Sequence, residues 1–163
     1  MNLHVLPVLT MVALLAVSCQ ADVEREQEAV MAVLKAESDA MITGDFDSFK
    51  ELHTQSELET RIEMGIYGYN VYRGWDRVSA LVGDFLDGDP QENLVNTKEN
   101  CIVRISGKSA WVTCDNVWTD RSSPDQILYN NLQIAFLEKQ GGTWKISFSA
   151  YYTKGDQTEM TIH

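Results

Sequence analysis

The chain has 163 residues, 44% of them hydrophobic and 23% charged, with a formal net charge of -11 at pH 7. That length fits one domain of ordinary size with a sizeable core. An acidic body repels nucleic-acid phosphates, which excludes a nucleic-acid partner.

The first eighteen residues hold no Asp, Glu, Lys or Arg, so the whole net charge belongs to residues 19–163. Residues 5–17 are almost wholly apolar, with Pro7 and Thr10 inside the run. The run is shorter than the ~20 residues of a typical transmembrane helix and has the length of a signal-peptide core. Small residues then lead into a cysteine, Ala16-Val17-Ser18-Cys19. This resembles a lipobox, in which Cys19 is lipidated and becomes the mature N-terminus, although Ala16 stands where a large aliphatic residue is usual. Ordinary cleavage near Ser18 or Ala21 and an uncleaved anchor are the alternatives. The expectation is a lipoprotein-type signal at 1–18, a linker at 19–24, one domain at 25–154 and a flexible tail at 155–163. It places the domain in the cell envelope, facing the periplasm or exterior and touching a membrane only through a lipid anchor, or else soluble outside the cytoplasm.

Val30, Val33, Leu34, Ala40 and Met41 share one face of a first helix. Thr43-Gly44-Asp45 ends it, with Gly44 as the cap glycine. Phe46, Phe49 and Leu52 mark a short second helix. His53 falls at its end, where a positive charge suits the helix dipole, and reads as a surface residue. Residues 58–64 read as a strand and 65–72 as irregular or strand. Gly74 opens a third helix with the apolar stripe Val78, Leu81, Val82, Phe85 and Leu86, stopped at Asp87-Gly88-Asp89-Pro90.

Two hairpins complete the chain, 98–105 with 110–119 and 127–139 with 144–153. In the second, Leu128, Leu132, Ile134 and Phe136 share one face. On the next strand Trp144, Ile146, Phe148, Ala150 and Tyr152 share one face. This alternation predicts a sheet buried on one side. Helices first and long antiparallel strands after make an α+β fold.

Three cysteines leave a pair, Cys101 and Cys114, once Cys19 is set aside. A two-residue loop at Gly107-Lys108 sets Ser106 opposite Ser109, Val103 opposite Val112 and Cys101 opposite Cys114. The pair then falls at a non-hydrogen-bonded site with Cα atoms about 4.5 Å apart, within disulfide reach. Two buried free thiols are the other reading.

Four patterns carry a resemblance: Ala29-Val30-Met31-Ala32-Val33-Leu34 followed by Ala40 and Thr43-Gly44-Asp45-Phe46; Tyr72-Arg73-Gly74-Trp75-Asp76-Arg77-Val78; Gly107-Lys108-Ser109-Ala110-Trp111-Val112-Thr113; and Phe136-Leu137-Glu138-Lys139 with Gly142-Thr143-Trp144-Lys145-Ile146. In this order, over residues 25–152, the chain resembles the nuclear-transport-factor-2-like superfamily and, within it, the SnoaL-like domains. The resemblance implies a cone: a curved antiparallel sheet wrapped around three N-terminal helices, with an apolar pocket. It also implies frequent homodimers through the open sheet face. It implies no single function, because the same cone hosts enzymes, binding modules and assembly domains.

No HExxH, G-x-S-x-G, Gly-rich phosphate loop or CxxC is present, and apart from His4 the histidines are His53 and the terminal His163. No cofactor and no metal site are expected. Glu37 interrupts the apolar stripe of the first helix. A carboxylate facing a pocket is costly unless paired, and such a group can serve as a general acid or base. At the stripe's edge it would instead reach water or a structural partner. Asn116, Trp118, Asn130 and Tyr152 interrupt the even sheet face and could line the cone's mouth around a small molecule, or be ordinary strand-end polarity. Tyr67, Tyr69, Tyr72 and Trp75 cluster before the third helix as a pocket cap, an interface or plain core. The isomerase branch of the superfamily has an Asp base and a Tyr donor where this chain has Thr60 and Glu37, so its reaction is not carried over. The reading is a pocket domain binding a small apolar molecule without catalysis. The alternatives are a cofactor-free isomerase, cyclase or hydrolase using Glu37, and a homodimerising interaction domain.

Overall fold

The computed structural model describes residues 6–87 and 90–153, with side chains described from residue 22 onward. The expected tail at 155–163, with His163, lies outside the described residues, as do Gly88 and Asp89. The elements in chain order are α1 (Leu6–Thr43), α2 (Phe46–Glu51), β1 (Thr60–Gly65), β2 (Gly68–Arg73), α3 (Trp75–Leu86), β3 (Leu94–Ser106), β4 (Ser109–Asp120), β5 (Ser123–Gln140) and β6 (Thr143–Thr153). From Leu6 onward, the stretch read as signal, Cys19 and linker thus runs in one helix with the domain's first helix. No described helix is long and apolar enough to cross a membrane.

The strands form one six-stranded sheet in the order β2-β1-β6-β5-β4-β3. Only β1 against β6 is parallel among its neighbours; the rest are antiparallel. Helices packed on a curved, unclosed and largely antiparallel sheet are the α+β arrangement expected.

Local chemistry sets the boundaries. Gly44 takes φ +71, which an L side chain rarely adopts, so α1 stops there. The Asp45 carboxylate then accepts from the Ser48 amide at 2.9 Å and caps α2. Gly141 and Gly142 both have positive φ and make the tight β5–β6 turn.

The inner sheet face receives α1. Val30, Val33 and Leu34 pack on Ala110, Val112 and Cys114 of β4, Ala135 and Leu137 of β5, and Trp144 and Ile146 of β6. Each large aliphatic side chain buried here contributes about 1.5–3 kcal/mol. Glu26 docks the same helix by accepting from Lys139 at 2.6 Å and from the Trp144 indole at 2.8 Å. A second cluster joins Ala40 of α1, Phe49 of α2, and Val82 and Leu86 of α3. Phe85, expected in the α3 stripe, is 55% exposed, because the buried track runs Val78, Val82, Leu86 at four-residue steps.

Two bulges decide which residues face inward. Between Glu99 and Ile102 the β3–β4 register shifts, so Asn100 and Cys101 oppose the single residue Cys114. Asn100 takes φ +49 there. The expected pairs Ser106–Ser109 and Val103–Val112 form, and the Cys101–Cys114 disulfide closes across them, with Cα atoms 4.2 Å apart. Cross-linking residues 13 apart restricts the unfolded chain and is expected to stabilise the fold by about 3 kcal/mol. Urea unfolding of a Cys101→Ala/Cys114→Ala variant measures this; an unchanged midpoint would contradict it.

The second bulge lies in β6, where Phe136 pairs with Phe148 but Leu137 pairs with Ile146. The extra residue, Ser147, inverts the facing of everything after it. Trp144 and Ile146 therefore point inward with Ser149 and Tyr151. Phe148 and Tyr152 point outward, against the expectation that they share a face with Trp144. On β5, Leu132, Ile134 and Phe136 do share a face, and it is the outer one, while Leu128 is the unpaired residue of a further register shift opposite Trp118 and Thr119.

Candidate functional site

Beyond the apolar core the inner face turns polar. There Glu37, Ser38 and Met41 of α1, Arg61, Glu63 and Met64 of β1, Asn116 and Trp118 of β4, Tyr129 and Asn131 of β5, and Tyr151 and Thr153 of β6 surround a cavity of about 540 Å³. The β1–β2 hairpin adds Gly65, Gly68 and Asn70 to its rim.

Glu37 is the hub. It is 2% exposed. Its carboxylate accepts from the Tyr151 hydroxyl at 2.9 and 3.1 Å and from Gln133 Nε2 at 3.2 Å. Arg61 Nη1 lies 3.8 Å from Glu37 Oε1, while Arg61 Nε donates to Glu63 at 3.1 Å. The guanidinium also stands over the Tyr151 ring, 4.5 Å from its centroid. Burial works against the Arg61 charge, but Tyr151, Glu37 and Glu63 outweigh it and hold its pKa above the ordinary value. Burial, seconded by Glu37, pushes the Tyr151 phenol up, so it stays a hydrogen-bond donor at all ordinary pH.

A second chain of contacts runs across the sheet. Lys98 Nζ donates to Asn116 Oδ1 and to Gln133 Oε1, both at 2.7 Å. Asn96 also donates to Asn116 Oδ1 at 2.8 Å, and Asn116 Nδ2 donates to Asn131 at 2.8 Å. Burial pushes the Lys98 amine down to about 8, opposed by Glu37 and Asp39. Between pH 8 and its ordinary value of 10.5 the unfolded chain therefore binds more protons than the folded one at this site. The penalty for holding a charged Lys98 in the fold is thus fully present below pH 8 and fades as pH rises toward 10.5. Stability of the wild type relative to Lys98→Met should climb across that window in urea titrations. A flat difference would contradict a buried amine.

Behind Glu37 lies a third unit. His53, expected at the surface, is 3% exposed and packs against both Phe49 and Trp75, with ring centroids 4.2 and 5.7 Å away. Its Nδ1 meets Glu59 Oε1 at 2.6 Å and its Nε2 lies 3.7 Å from Glu37 Oε1. Glu59 Oε2 accepts from the Thr54 hydroxyl at 3.0 Å and the Gln55 amide at 2.9 Å. Helix α2 is too short to keep its end in water: the chain turns under α3 at once, and His53 goes with it.

The residues singled out from the sequence divide. Glu37, Asn116 and Trp118 come together at the cavity. Asn130 and Tyr152 stand on the outer face, one residue out of phase with the lining Asn131 and Tyr151. Tyr67 sits at the β1–β2 turn, 97% exposed, and does not line the cavity. Trp75 packs on Phe49 and His53 instead of lining it. Thr60 also lies off the lining. Arg61, Glu63, Lys98, Gln133, Tyr151 and the His53–Glu59 pair were not singled out. The pattern Thr60-Arg61-Ile62-Glu63-Met64 did carry the signal, but alternation does not tell which face is inside. Among the described residues, no group of three or more His, Cys, Asp or Glu is arranged to hold a metal ion.

No protein-family model matches the sequence, and no curated protein matches it. Solved structures do match. A Mycobacterium tuberculosis protein of unknown function superposes with TM-score 0.67 at 14% identity, over 88% of this chain and 80% of that one. A candidate dehydratase of the nuclear-transport-factor-2-like family from Streptomyces avermitilis gives 0.66 at 15% identity, over 82% and 99%. The association domain of CaMKII from C. elegans gives 0.63 at 19% identity, over 78% and 95%. With its helices, sheet order and inner cavity, the chain has the nuclear-transport-factor-2-like fold.

Proposed function

We propose that this is a binding domain for one small hydrogen-bonding molecule, held in the cavity floored by Glu37. The observation that carries the reading is the combination of a cavity of about 540 Å³ with a preorganised polar floor and a rim of Met41, Met64, Trp118 and Tyr129. Small-molecule sites are built this way, with apolar walls and a few fixed polar groups. The floor is more polar than the sequence suggested, so the ligand class is hydrogen-bonding rather than simply apolar. Binding is preferred to catalysis because both Glu37 oxygens already accept hydrogen bonds, which suits a positioning group. The disulfide and the apolar run at 5–17 support an exported protein in an oxidising compartment.

Met41 and Met64 give a direct test. With ¹³C-methyl methionine labels, fragments that bind should shift these two methyls. Hits that leave both unmoved would refute the reading.

A second reading has its own observation. The outer sheet face exposes Phe136 at 45% and Tyr152 at 41%, beside Phe148, which meets Phe136 edge-on. Such a patch suits a second copy of the chain. Sedimentation of wild type against Phe136→Glu tests this: loss of a dimer supports it, and a wild-type monomer refutes it.

A further inference from the structure

Three polar atoms meet at the cavity floor without bonding one another. Glu37 Oε1 lies 3.7 Å from His53 Nε2 and 3.8 Å from Arg61 Nη1. Both distances exceed those of a hydrogen bond. His53 Nε2 and Arg61 Nη1 are buried without a hydrogen-bond partner among the described residues, and their residues are 3% and 8% exposed. An unpaired buried polar atom costs about 1–3 kcal/mol, more when charged. Two such atoms around one carboxylate oxygen therefore call for a shared partner.

The three atoms specify its chemistry. Arg61 can only donate and an ionised Glu37 can only accept. His53 Nδ1 meets the Glu59 carboxylate, an acceptor, and so carries a proton. The partner must accept from Arg61 and donate to Glu37. A carboxylate or phosphate would bring its negative charge against that of Glu37. An ammonium cannot accept and would face Arg61. A hydroxyl does both.

We propose that the cavity floor is a hydroxyl site, where one O–H group accepts from Arg61 Nη1 and donates to Glu37 Oε1 beside His53 Nε2. The hydroxyl belongs to a held water or to a bound alcohol; the alcohol source rests on the binding function proposed above. Glu37 and Arg61 line the cavity and present the site to it, with His53 behind them.

The test is a crystal structure of the full domain, free and soaked in benzyl alcohol, with affinities of benzyl alcohol and benzyl methyl ether measured by methionine-methyl shifts. An oxygen atom within hydrogen-bond distance of Arg61 Nη1 and Glu37 Oε1 is the expected result. If the alcohol supplies it, the alcohol should bind about tenfold or more tighter than the ether, which lacks the donor. If the two bind equally while an oxygen occupies the site, the source is water. Direct contraction of Arg61 and His53 onto Glu37, with no oxygen between, would overturn the proposal. The binding function would survive that result if either probe still occupied the cavity, and would fall separately if neither did.

Discussion

Glu59→Ala should destabilise the fold by about 3–5 kcal/mol, the usual cost of removing one partner from a buried charged or strongly hydrogen-bonded pair. Glu59 is 1% exposed and is the acceptor for three donors: His53 Nδ1, the Thr54 hydroxyl and the Gln55 amide. Alanine leaves all three without it, and for the buried His53 Nδ1 water is a poor substitute. The segment between α2 and β1 would lose its internal anchor, and Gln55, which holds φ +54, would lose the bond that favours this conformation. Glu59→Gln keeps the volume and one acceptor oxygen but turns an amide donor toward existing donors, so an intermediate loss is expected. Urea denaturation at neutral pH measures both. A loss below about 1 kcal/mol for alanine, the net worth of one ordinary hydrogen bond, would show that the unit is not the anchor described.

The second large effect is at Glu37. Glu37→Ala removes the acceptor of Tyr151 and Gln133 Nε2 and the nearest carboxylate to buried Arg61 Nη1. A loss of about 3 kcal/mol or more is expected, together with loss of ligand binding. Glu37→Gln keeps the volume but turns an amide donor toward Tyr151 or Gln133, so a loss of stability smaller than alanine's is expected together with weakened binding. Because His53 stands between Glu59 and Glu37, the two alanine losses should not add: a coupling of about 0.5–3 kcal/mol is expected in a double-mutant cycle. Strict additivity would mean that His53 does not link them.

The fold was legible because its signals are local. The apolar face Val30, Val33, Leu34, the Gly44 cap and the glycine turn at 141–142 each act within a few residues. The disulfide was legible for the same reason, since a two-residue turn fixes its own register. The site was only partly legible because its residues depend on long-range geometry. Glu37 stood out as a charge in an apolar stripe. Asn116 and Trp118 stood out because the pairing of β4 with β5 runs without a shift as far as Trp118. Tyr151 was hidden by the Ser147 bulge, which flips the strand by one residue. Arg61 and Glu63 were hidden because alternation along β1 does not tell which of its faces turns to the cavity. His53 looked like a helix-end surface residue because nothing local shows that α3 and Phe49 close over it.

Native mass spectrometry of the domain, with and without a saturating fragment found by the methionine screen, tests the central claim most directly. Wild type should take up one small molecule per chain, and a folded Glu37→Gln variant should hold it more weakly. Equal retention by wild type and Glu37→Gln, or no retention by wild type at any fragment concentration, would contradict a ligand site floored by Glu37.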